Sequence, residues 1–299
     1  MKVLVTGGAG FLGSHLVDSL VERGDEVVVL DDLSRGHRSQ VDSSAKFVQG
    51  DVRNSEDWEA ACENFQPDVI HHLAAVNGTR RFHKEADLVV DVNVNGTRLA
   101  LEIAKLYSAR IVFYSSPEAF GEQENMPLSN DSDSLFTPAH LHQRHSYGAS
   151  KHIGELLCQF EERKGLDVRI VRPFNVYGPR LHGDDNGQVV SMMMSANPIV
   201  VHGNGLQTRS LTWVGDVIEA LIKIGRGSNL AGKAFNLGST DEISMIDLAK
   251  KIAGLRDVEI VYGEPNNGDS KRRLPDISMN SSIDWAAKTS LDEGLSHLL

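Results

Sequence analysis

The sequence predicts an α/β protein, namely a Rossmann-type doubly wound parallel sheet joined to a smaller mixed α/β lobe that binds substrate. Short apolar runs alternate with amphipathic runs through residues 1–174, and this alternation predicts a parallel sheet covered by helices on both faces. A glycine-rich turn joins the first predicted strand to the first predicted helix. Beyond residue 175 the pattern becomes irregular and is punctuated by glycine and proline. We therefore expect residues 175–299 to form mainly the lobe, with 210–240 partly returning to the sheet domain.

The composition is that of an ordinary globular protein and excludes several kinds of partner. The 299 residues are 40% hydrophobic and carry a formal net charge of −11. Nucleic acids and anionic membranes bind clustered positive charge, so neither is an expected partner. No apolar run is long enough to cross a bilayer, and Met1 leads into a strand rather than a targeting leader. Cys62 and Cys158 lack metal-type spacing, which favours a reducing, cytoplasmic location and no metal site.

The turn at residues 6–13 indicates a dinucleotide site. Gly7, Gly10 and Gly13 permit a tight turn, close approach of the backbone to a pyrophosphate, and close packing of helix on strand. The helix N-terminus then faces the phosphates, and Phe11 and Leu12 between the glycines are predicted cofactor contacts. Because the spacing is G-x-x-G-x-x-G rather than G-x-G-x-x-G, a glycine turn without a ligand is the alternative interpretation.

An acidic pair closes the second predicted strand, residues 26–30. Asp31 and Asp32 lie roughly twenty residues past the glycines, where a carboxylate suits the adenosine ribose hydroxyls of NAD. The same charge would repel the extra phosphate of NADP, although Arg35 could partly compensate. NAD is therefore the expected cofactor, and a helix-cap or turn aspartate is the alternative for Asp31.

The next two predicted strands, 46–52 and 67–75, supply further candidate contacts. Asp51 stands near the end of the third strand as a possible adenine contact, and Val52 follows it. The fourth strand opens into Leu73, Ala74 and Ala75, where a cofactor could lie against the backbone. Ligands of parallel sheets bind at the carboxyl ends of the strands, which is where these residues fall.

Tyr147 and Lys151 are the candidate catalytic pair. They lie four residues apart in a predicted helix and therefore point the same way, one turn apart. A lysine ammonium stabilises a phenolate, so Tyr147 could act as a base near neutral pH. Ser116 and Glu118 follow the predicted strand 110–114, where substrate chemistry would occur. An isolated Tyr-x-x-x-Lys is more typical of a surface pair, and a serine-rich turn is the alternative for residues 115–121.

Eleven short motifs spread over nearly the whole chain complete the pattern. They are TGGAGFLGSHL (6–16), LDDLSRG (30–36), GDVR (50–53), HLAA (72–75), NVNGT (93–97), YSSPEAFG (114–121), YGASK (147–151), RPFNVYGPR (172–180), GNGLQTRSLTWVGDV (203–217), FNLGS (235–239) and RLPDIS (273–278). In this order they resemble the extended short-chain dehydrogenase/reductase family, specifically its nucleotide-sugar epimerases, dehydratases and decarboxylases.

The resemblance implies a shared first step. Tyr147 would take a proton from a sugar hydroxyl, usually at C4, while hydride passes to NAD. Ser116 would hydrogen-bond the same oxygen, and Lys151 would hold the nicotinamide ribose. Further implied cofactor contacts are Asn93, Ser115 and Pro173. The substrate implied by the resemblance is UDP-linked, and the implied contacts to it are Arg144, Asn175, Val189, Val190, Arg209 and Arg273, with the two valines in a substrate loop at 179–191. A homodimer through the helix near 90–107 and the helix of Tyr147 is also implied.

Three reactions share the 4-keto sugar. Dehydratases of this family carry an aspartate where this chain has Pro117, which cannot donate a proton, so dehydration is disfavoured. UDP-glucuronate decarboxylases resemble Ser116-Pro117-Glu118 and the long loop at 122–145 better, and Glu118 would assist reprotonation at C5. The segment 77–81 departs from their pattern, so a UDP-sugar 4-epimerase is the alternative. A catalytically silent NAD-binding protein is the minor alternative. Such relatives usually lose the tyrosine or the lysine, and this chain keeps both.

Overall fold

The computed structural model describes residues 1–141, 143–184, 188–265 and 270–299. The strands are β1 (Lys2–Thr6), β2 (Glu26–Asp31), β3 (Lys46–Gln49), β4 (Val69–His72), β5 (Arg110–Tyr114), β6 (Val168–Pro173), β7 (Val176–Tyr177), β8 (Ile199–His202), β9 (Thr208–Ser210), β10 (Thr212–Trp213), β11 (Ala234–Leu237), β12 (Glu242–Ser244) and β13 (Ile260–Gly263). The helices are α1 (Phe11–Glu22), α2 (Ser55–Cys62), α3 (Thr79–Lys84), α4 (Ala86–Tyr107), α5 (His145–Glu162), α6 (Val189–Ser195), α7 (Val214–Arg226), α8 (Met245–Arg256) and α9 (Leu291–Ser296). Short 3₁₀ turns lie at Arg38–Gln40, Pro117–Phe120 and Ser278–Ile283.

Seven strands form one parallel sheet in the order β11-β6-β5-β4-β1-β2-β3. The strand order reverses around β1, which pairs with β2 on one side and β4 on the other. In such sheets the loops at the carboxyl ends diverge at the reversal and leave a crevice. The predicted fold class is confirmed by this topology. Strand β11 returns to the sheet beside β6, while the division of the chain at residue 174 stays a prediction.

The core lies on both faces of the sheet because successive strand residues point to opposite sides. Val3 and Val5 pack with Leu16 of α1 and Leu221 of α7, whereas Leu4 packs on the other face with residues of α2, α4 and α5. A third apolar cluster lies in the lobe and joins β8 to α6, α8 and α9. The sheet is thus rigid where its loops must hold a ligand.

Several details bear on the site. Strands β3 and β4 are shorter than predicted, because the residues that follow leave the sheet at its carboxyl edge. Cys62 and Cys158 are both buried and unpaired, and the cytoplasmic location stays a prediction. No helix in the described part of the chain combines the length and the apolar character that a membrane span requires.

Candidate active site

A cleft of about 1430 Å³ runs along the carboxyl ends of the strands and across the reversal around β1. The predicted site residues that line it are Gly7, Gly10, Phe11, Leu12, Gly13, Asp31, Asp32, Arg35, Asp51, Val52, Leu73, Ala74, Ala75, Ser115, Ser116, Glu118, Arg144, Tyr147, Lys151, Pro173, Asn175, Val189 and Arg209. Three predicted residues lie outside this lining, namely Asn93, Val190 and Arg273. The structure therefore brings both halves of the predicted site into one cavity, and the individual roles stay predictions.

The glycine turn leaves no room for side chains at the cleft floor. A Cβ on Gly7, whose φ is +71°, would lie 2.8 Å from the amide nitrogen of Ala74. A Cβ on Gly13 would lie 2.1 Å from the carbonyl oxygen of Gly7. Helix α1 begins at Phe11, and the first amides of a helix have no carbonyl partner within it. This turn fits the pyrophosphate of a dinucleotide, which needs close backbone approach and free N–H donors.

Asp31 organises the turn as well as lining the cleft. Its carboxylate accepts hydrogen bonds from the amides of Ala9 (2.9 Å) and Leu33 (2.8 Å). Burial raises the pKa of Asp31, and the two amide hydrogen bonds oppose that rise. Held in place at the end of β2, this carboxylate fits ribose hydroxyls and does not fit an added phosphate.

The guanidinium of Arg35 is directed away from Asp31 and Asp32. Its guanidinium makes a two-pronged ion pair with Asp184 of the lobe, at 2.8 and 3.1 Å. Arg180, four residues before Asp184, pairs with Asp18 of α1 at 2.7 Å. The segment after β7 is thus attached across the cleft mouth to the sheet domain.

Of the remaining predicted cofactor residues, some line the cleft and one joins the segments around it. The Asp51 carboxylate pairs with Arg53, and the side chain of Val52 is buried. Asn93 accepts from the Val76 amide (2.8 Å) and donates to Ser150 Oγ (3.0 Å), so it ties the segment after β4 to α5. A direct cofactor contact for Asn93 stays a prediction.

Helix α5 places the candidate base and lysine side by side. Tyr147 is buried beside Ser116 and stacks on the Phe82 ring with centroids 4.9 Å apart. Lys151 is also buried, donates from Nζ to the Tyr114 carbonyl (2.7 Å), and lies 5.7 Å from the centre of the Tyr147 ring.

The electrostatics of this pair are set by burial. Burial raises the pKa of Tyr147; the Ser116 hydrogen bond lowers it, and the Glu118 carboxylate raises it further. Burial lowers the pKa of Lys151 to about 8, against upward effects of Cys158 and Glu155. A buried phenolate needs a cation nearby, and among the described residues Lys151 is the cationic side chain that lies over the Tyr147 ring. The pair can therefore accept and return one proton.

Glu118 faces the cleft on the turn that follows β5. Its amide donates to Ser116 Oγ (3.2 Å), which caps the Pro117–Phe120 turn. Arg273 lies behind it, 3% exposed, with one guanidinium nitrogen 3.7 Å from the Glu118 carboxylate and donating to the Gly121 carbonyl at 2.5 Å. Arg273 lies outside the cleft lining and near Glu118, which lines it, and a direct substrate contact for Arg273 stays a prediction.

The other predicted substrate residues lie on the lobe side. Arg144, Asn175, Val189 and Arg209 line the cleft, and Asn175 donates to the Ser210 carbonyl (3.2 Å). Val190 points into the lobe core. Residues 185–187 of the predicted substrate loop lie outside the described residues.

Sequence reasoning missed one wall of the cleft, formed by α3. Arg80, Phe82, His83 and Lys84 all line the cavity beside Tyr147. A helix of six residues has too few turns to display a period, so patterning gives no signal for it. The signal that was present is compositional, namely a basic run with one aromatic residue after the small residues at 73–75. Within the described ranges, no three His, Cys, Asp or Glu side chains are grouped to hold a metal ion.

Comparisons with known proteins agree with this geometry. The NAD dependent epimerase/dehydratase family matches residues 3–238. UDP-glucuronic acid decarboxylase 1 of Arabidopsis thaliana is 33% identical over 307 residues, covering 100% of this chain and 69% of the plant protein. A putative UDP-glucose 4-epimerase of Methanocaldococcus jannaschii is 33% identical over 309 residues, covering 99% and 97%. The solved UDP-glucose 4-epimerase of Thermotoga maritima, with UDP-glucose, gives a TM-score of 0.92 at 29% identity, covering 99% and 97%.

The family match spans most of the chain, so the resemblance predicted from the motifs is confirmed, and so is NAD as the cofactor. The glycine turn, the carboxylate at the end of β2 and the Tyr147–Lys151 pair lie in one cleft, as such an enzyme requires. The chain therefore belongs to the NAD dependent epimerase/dehydratase family and is an NAD-dependent enzyme that modifies nucleotide sugars.

Proposed function

We propose that this enzyme decarboxylates UDP-glucuronate to UDP-xylose through a transient 4-keto sugar. The observation that carries the proposal is the placement of Glu118. It lines the cleft on the same turn as Ser116, close enough to act on the charge of Tyr147, and buried Arg273 lies behind it. A carboxyl group at this place is what protonation of the neighbouring sugar carbon requires.

The first step needs only three residues. Tyr147 takes the proton of the C4 hydroxyl, Ser116 hydrogen-bonds the same oxygen, and Lys151 supplies the positive charge that a buried phenolate needs. Bound NAD supplies a reversible hydride acceptor at C4 and ends the cycle unchanged. The glycine turn and Asp31 would hold it at the floor of the cleft.

The second step follows from the ketone. With C4 oxidised, the C6 carboxylate is β to a carbonyl; the C5–C6 bond breaks, carbon dioxide leaves, and its bonding electrons form an enolate. Glu118 delivers a proton to C5, directly or through water. Tyr147 returns its proton to O4 as C4 is reduced, so the net change is loss of carbon dioxide and uptake of one proton.

The charge around the sugar end supports an anionic sugar. The chain carries a net charge of −11, yet Arg80, Lys84 and Arg144 line the cleft. Cationic side chains concentrated in a cleft attract anionic substrates and steer their approach. A uronate carboxylate is such a group.

UDP-sugar 4-epimerisation is the second candidate, and one observation favours it. Arg273, expected near the substrate carboxylate, is buried behind Glu118 and does not line the cleft. An epimerase needs only Ser116, Tyr147 and Lys151, with room for the keto sugar to turn over. The three residues are together here.

The deciding experiment is incubation of the NAD-loaded enzyme with UDP-glucuronate, UDP-glucose and UDP-N-acetylglucosamine, followed by mass spectrometry. Loss of carbon dioxide from UDP-glucuronate supports decarboxylation. An isomer of unchanged mass from any of the three supports epimerisation. Absence of carbon dioxide from UDP-glucuronate at saturating enzyme and NAD removes the first proposal.

A Glu118→Gln variant should separate the two halves of the decarboxylation. The amide keeps the size of the side chain but cannot deliver a proton to C5, so UDP-xylose formation should fall about 100-fold. Carbon dioxide release should fall less, because a β-keto acid loses it with little help. Rapid-mixing assays of both products measure the ratio.

The matched control is Glu124→Gln, an exposed carboxylate near the same turn. It should leave both products at their wild-type rates. An equal fall of carbon dioxide and UDP-xylose in Glu118→Gln would contradict the protonation role.

We also propose that the chain forms a homodimer through α4 and α5. Ile153, Leu156 and Phe160 are exposed along one face of α5, at the spacing i, i+3, i+7. Beside them a groove of about 730 Å³ follows α4 and includes Val90. Light scattering should give twice the chain mass for wild type and the single-chain mass for Leu156→Glu. Leu206→Glu, an exposed leucine of the lobe, is the control and should stay dimeric.

A further inference from the structure

A buried ion pair stands directly behind the candidate catalytic pair. The Glu155 carboxylate accepts from Arg172 Nε (2.7 Å) and from its terminal nitrogen (2.6 Å), and it also accepts a short hydrogen bond from Ser115 Oγ. The side chains are 12% and 7% exposed. Replacing a buried ion pair by apolar side chains is often neutral or stabilising, so stability alone is a weak reason for this arrangement.

Glu155 is connected to the site in two ways. Through Ser115 it holds the end of β5, and the next residue, Ser116, carries the hydroxyl that lowers the pKa of Tyr147. Through α5 it lies one turn beyond Lys151, so its charge acts on the Lys151 ammonium. One carboxylate therefore acts on both partners of Tyr147, on Ser116 through the neighbouring Ser115 and on Lys151 through its charge.

Arg172 anchors this carboxylate to the rest of the fold. It donates to Asn130 Oδ1 (2.7 Å) in the long loop and to Asn236 Oδ1 (3.3 Å) on β11, and its guanidinium lies 4.8 Å from the centre of the Phe120 ring. A planar guanidinium with several partners holds a carboxylate in one orientation. Glu155 is thus held through Arg172 by β6, β11 and the long loop as well as by its own helix.

We propose that Glu155, clamped by Arg172, is a positioning residue for proton transfer at Tyr147, because it holds the strand end that carries Ser116 and lies one helical turn from Lys151. The inference rests on the proposed roles of Tyr147, Ser116 and Lys151 but not on the fate of the 4-keto sugar. It holds equally for decarboxylation and epimerisation.

The groups around Lys151 determine the expected pH dependence. The groups facing it or acting on its charge are Tyr147, Glu155 and Cys158 from α5, His72 from β4, Tyr114 and the Phe113 ring from β5, and, through Glu155, Arg172 from β6. Burial lowers the pKa of Lys151 to about 8, and Glu155 acts in the opposite direction. The ammonium is therefore present below that pH and is lost as the pH rises through it. Removing the Glu155 charge should move this loss to lower pH.

The test is Glu155→Gln, which keeps the size and an acceptor for Ser115 but removes the charge. In single-turnover formation of reduced nicotinamide with a UDP-sugar, the alkaline limb of the rate profile should move down by about half a pH unit or more. In the NAD-loaded protein, nuclear magnetic resonance of lysine labelled at Cε should show Lys151 losing its proton at lower pH, with Lys151→Met identifying the signal. Glu162→Gln on the same helix is the matched control and should shift neither.

Ser115→Ala tests the second part of the proposal, namely the hold of Glu155 on the strand end. It also keeps the proposal testable if Glu155→Gln folds poorly. It loosens the strand end without changing charge, so the single-turnover rate should fall about tenfold at every pH with an unmoved alkaline limb. A Glu155→Gln limb and Lys151 titration equal to wild type would overturn the proposal, as would a Ser115→Ala rate equal to wild type. Failure of the wild-type enzyme to reduce NAD with any UDP-sugar overturns the proposed function instead, and the Lys151 titration then still decides on Glu155.

Discussion

Replacement of Tyr147 by phenylalanine is expected to lower turnover about 1000-fold while NAD remains bound, because the only atom lost is the oxygen that carries the proton. The ring keeps its stacking on Phe82 and its place in the small cluster with Val76 and Val89. The site therefore keeps its shape and loses its base. Stopped-flow absorbance of reduced nicotinamide after mixing with the UDP-sugar measures the step.

Two comparisons keep this prediction specific. Tyr262→Phe, at an exposed position on β13 outside the cleft lining, removes the same atom and should leave turnover unchanged. Calorimetric titration with NAD should give similar affinities for wild type and Tyr147→Phe. Turnover of Tyr147→Phe at the wild-type rate would show that another group takes the C4 proton.

Replacement of Gly13 by alanine is expected to weaken NAD binding about 100-fold. The added Cβ would lie 2.1 Å from the Gly7 carbonyl oxygen and 2.8 Å from the Gly8 Cα, both backbone atoms of the turn itself. Neither can rotate away as a side chain would, so α1 and the turn must separate. A 100-fold loss of NAD affinity corresponds to a few kcal/mol of binding free energy, which is the size expected for such a misfit at the pyrophosphate.

Gly254→Ala is the matched control for the glycine prediction. Gly254 lies in α8, and an added Cβ there meets nothing within 4 Å. Alanine is the better helix former, so this variant should bind NAD normally and unfold at a slightly higher temperature. Equal NAD affinity for Gly13→Ala and wild type would mean that the turn is not where the pyrophosphate binds.

The parts of the site that were predictable from sequence are those encoded in local backbone requirements. Gly7 and Gly13 indicate a turn that excludes Cβ atoms, and Asp31 ends the apolar run that follows the first helix. Tyr147 and Lys151 are separated by one helical turn, so their proximity follows from the spacing alone. Each of these signals spans a few residues.

What could not be predicted depends on contacts between distant segments. Arg35 has the sequence position of a phosphate ligand, yet its partner Asp184 lies 149 residues away. Arg273 pairs across a similar distance, and nothing in its own neighbourhood distinguishes a supporting residue from a substrate contact. Val190 and Val189 are adjacent, so only the packing of the lobe decides which one lies in the core.

The hydrogen bond between Arg273 and the Gly121 carbonyl joins residues 152 positions apart, so it can form only after both have been synthesised. During synthesis the amino-terminal part of a chain becomes available to fold first. The glycine turn, Asp31 and the helix of Tyr147 and Lys151 precede β11 and Arg273 in the chain. The residues at the floor of the cleft therefore leave the ribosome long before Arg273, which supports Glu118. The NAD-binding residues of this enzyme are therefore synthesised early, and the side chain that supports Glu118 is synthesised late.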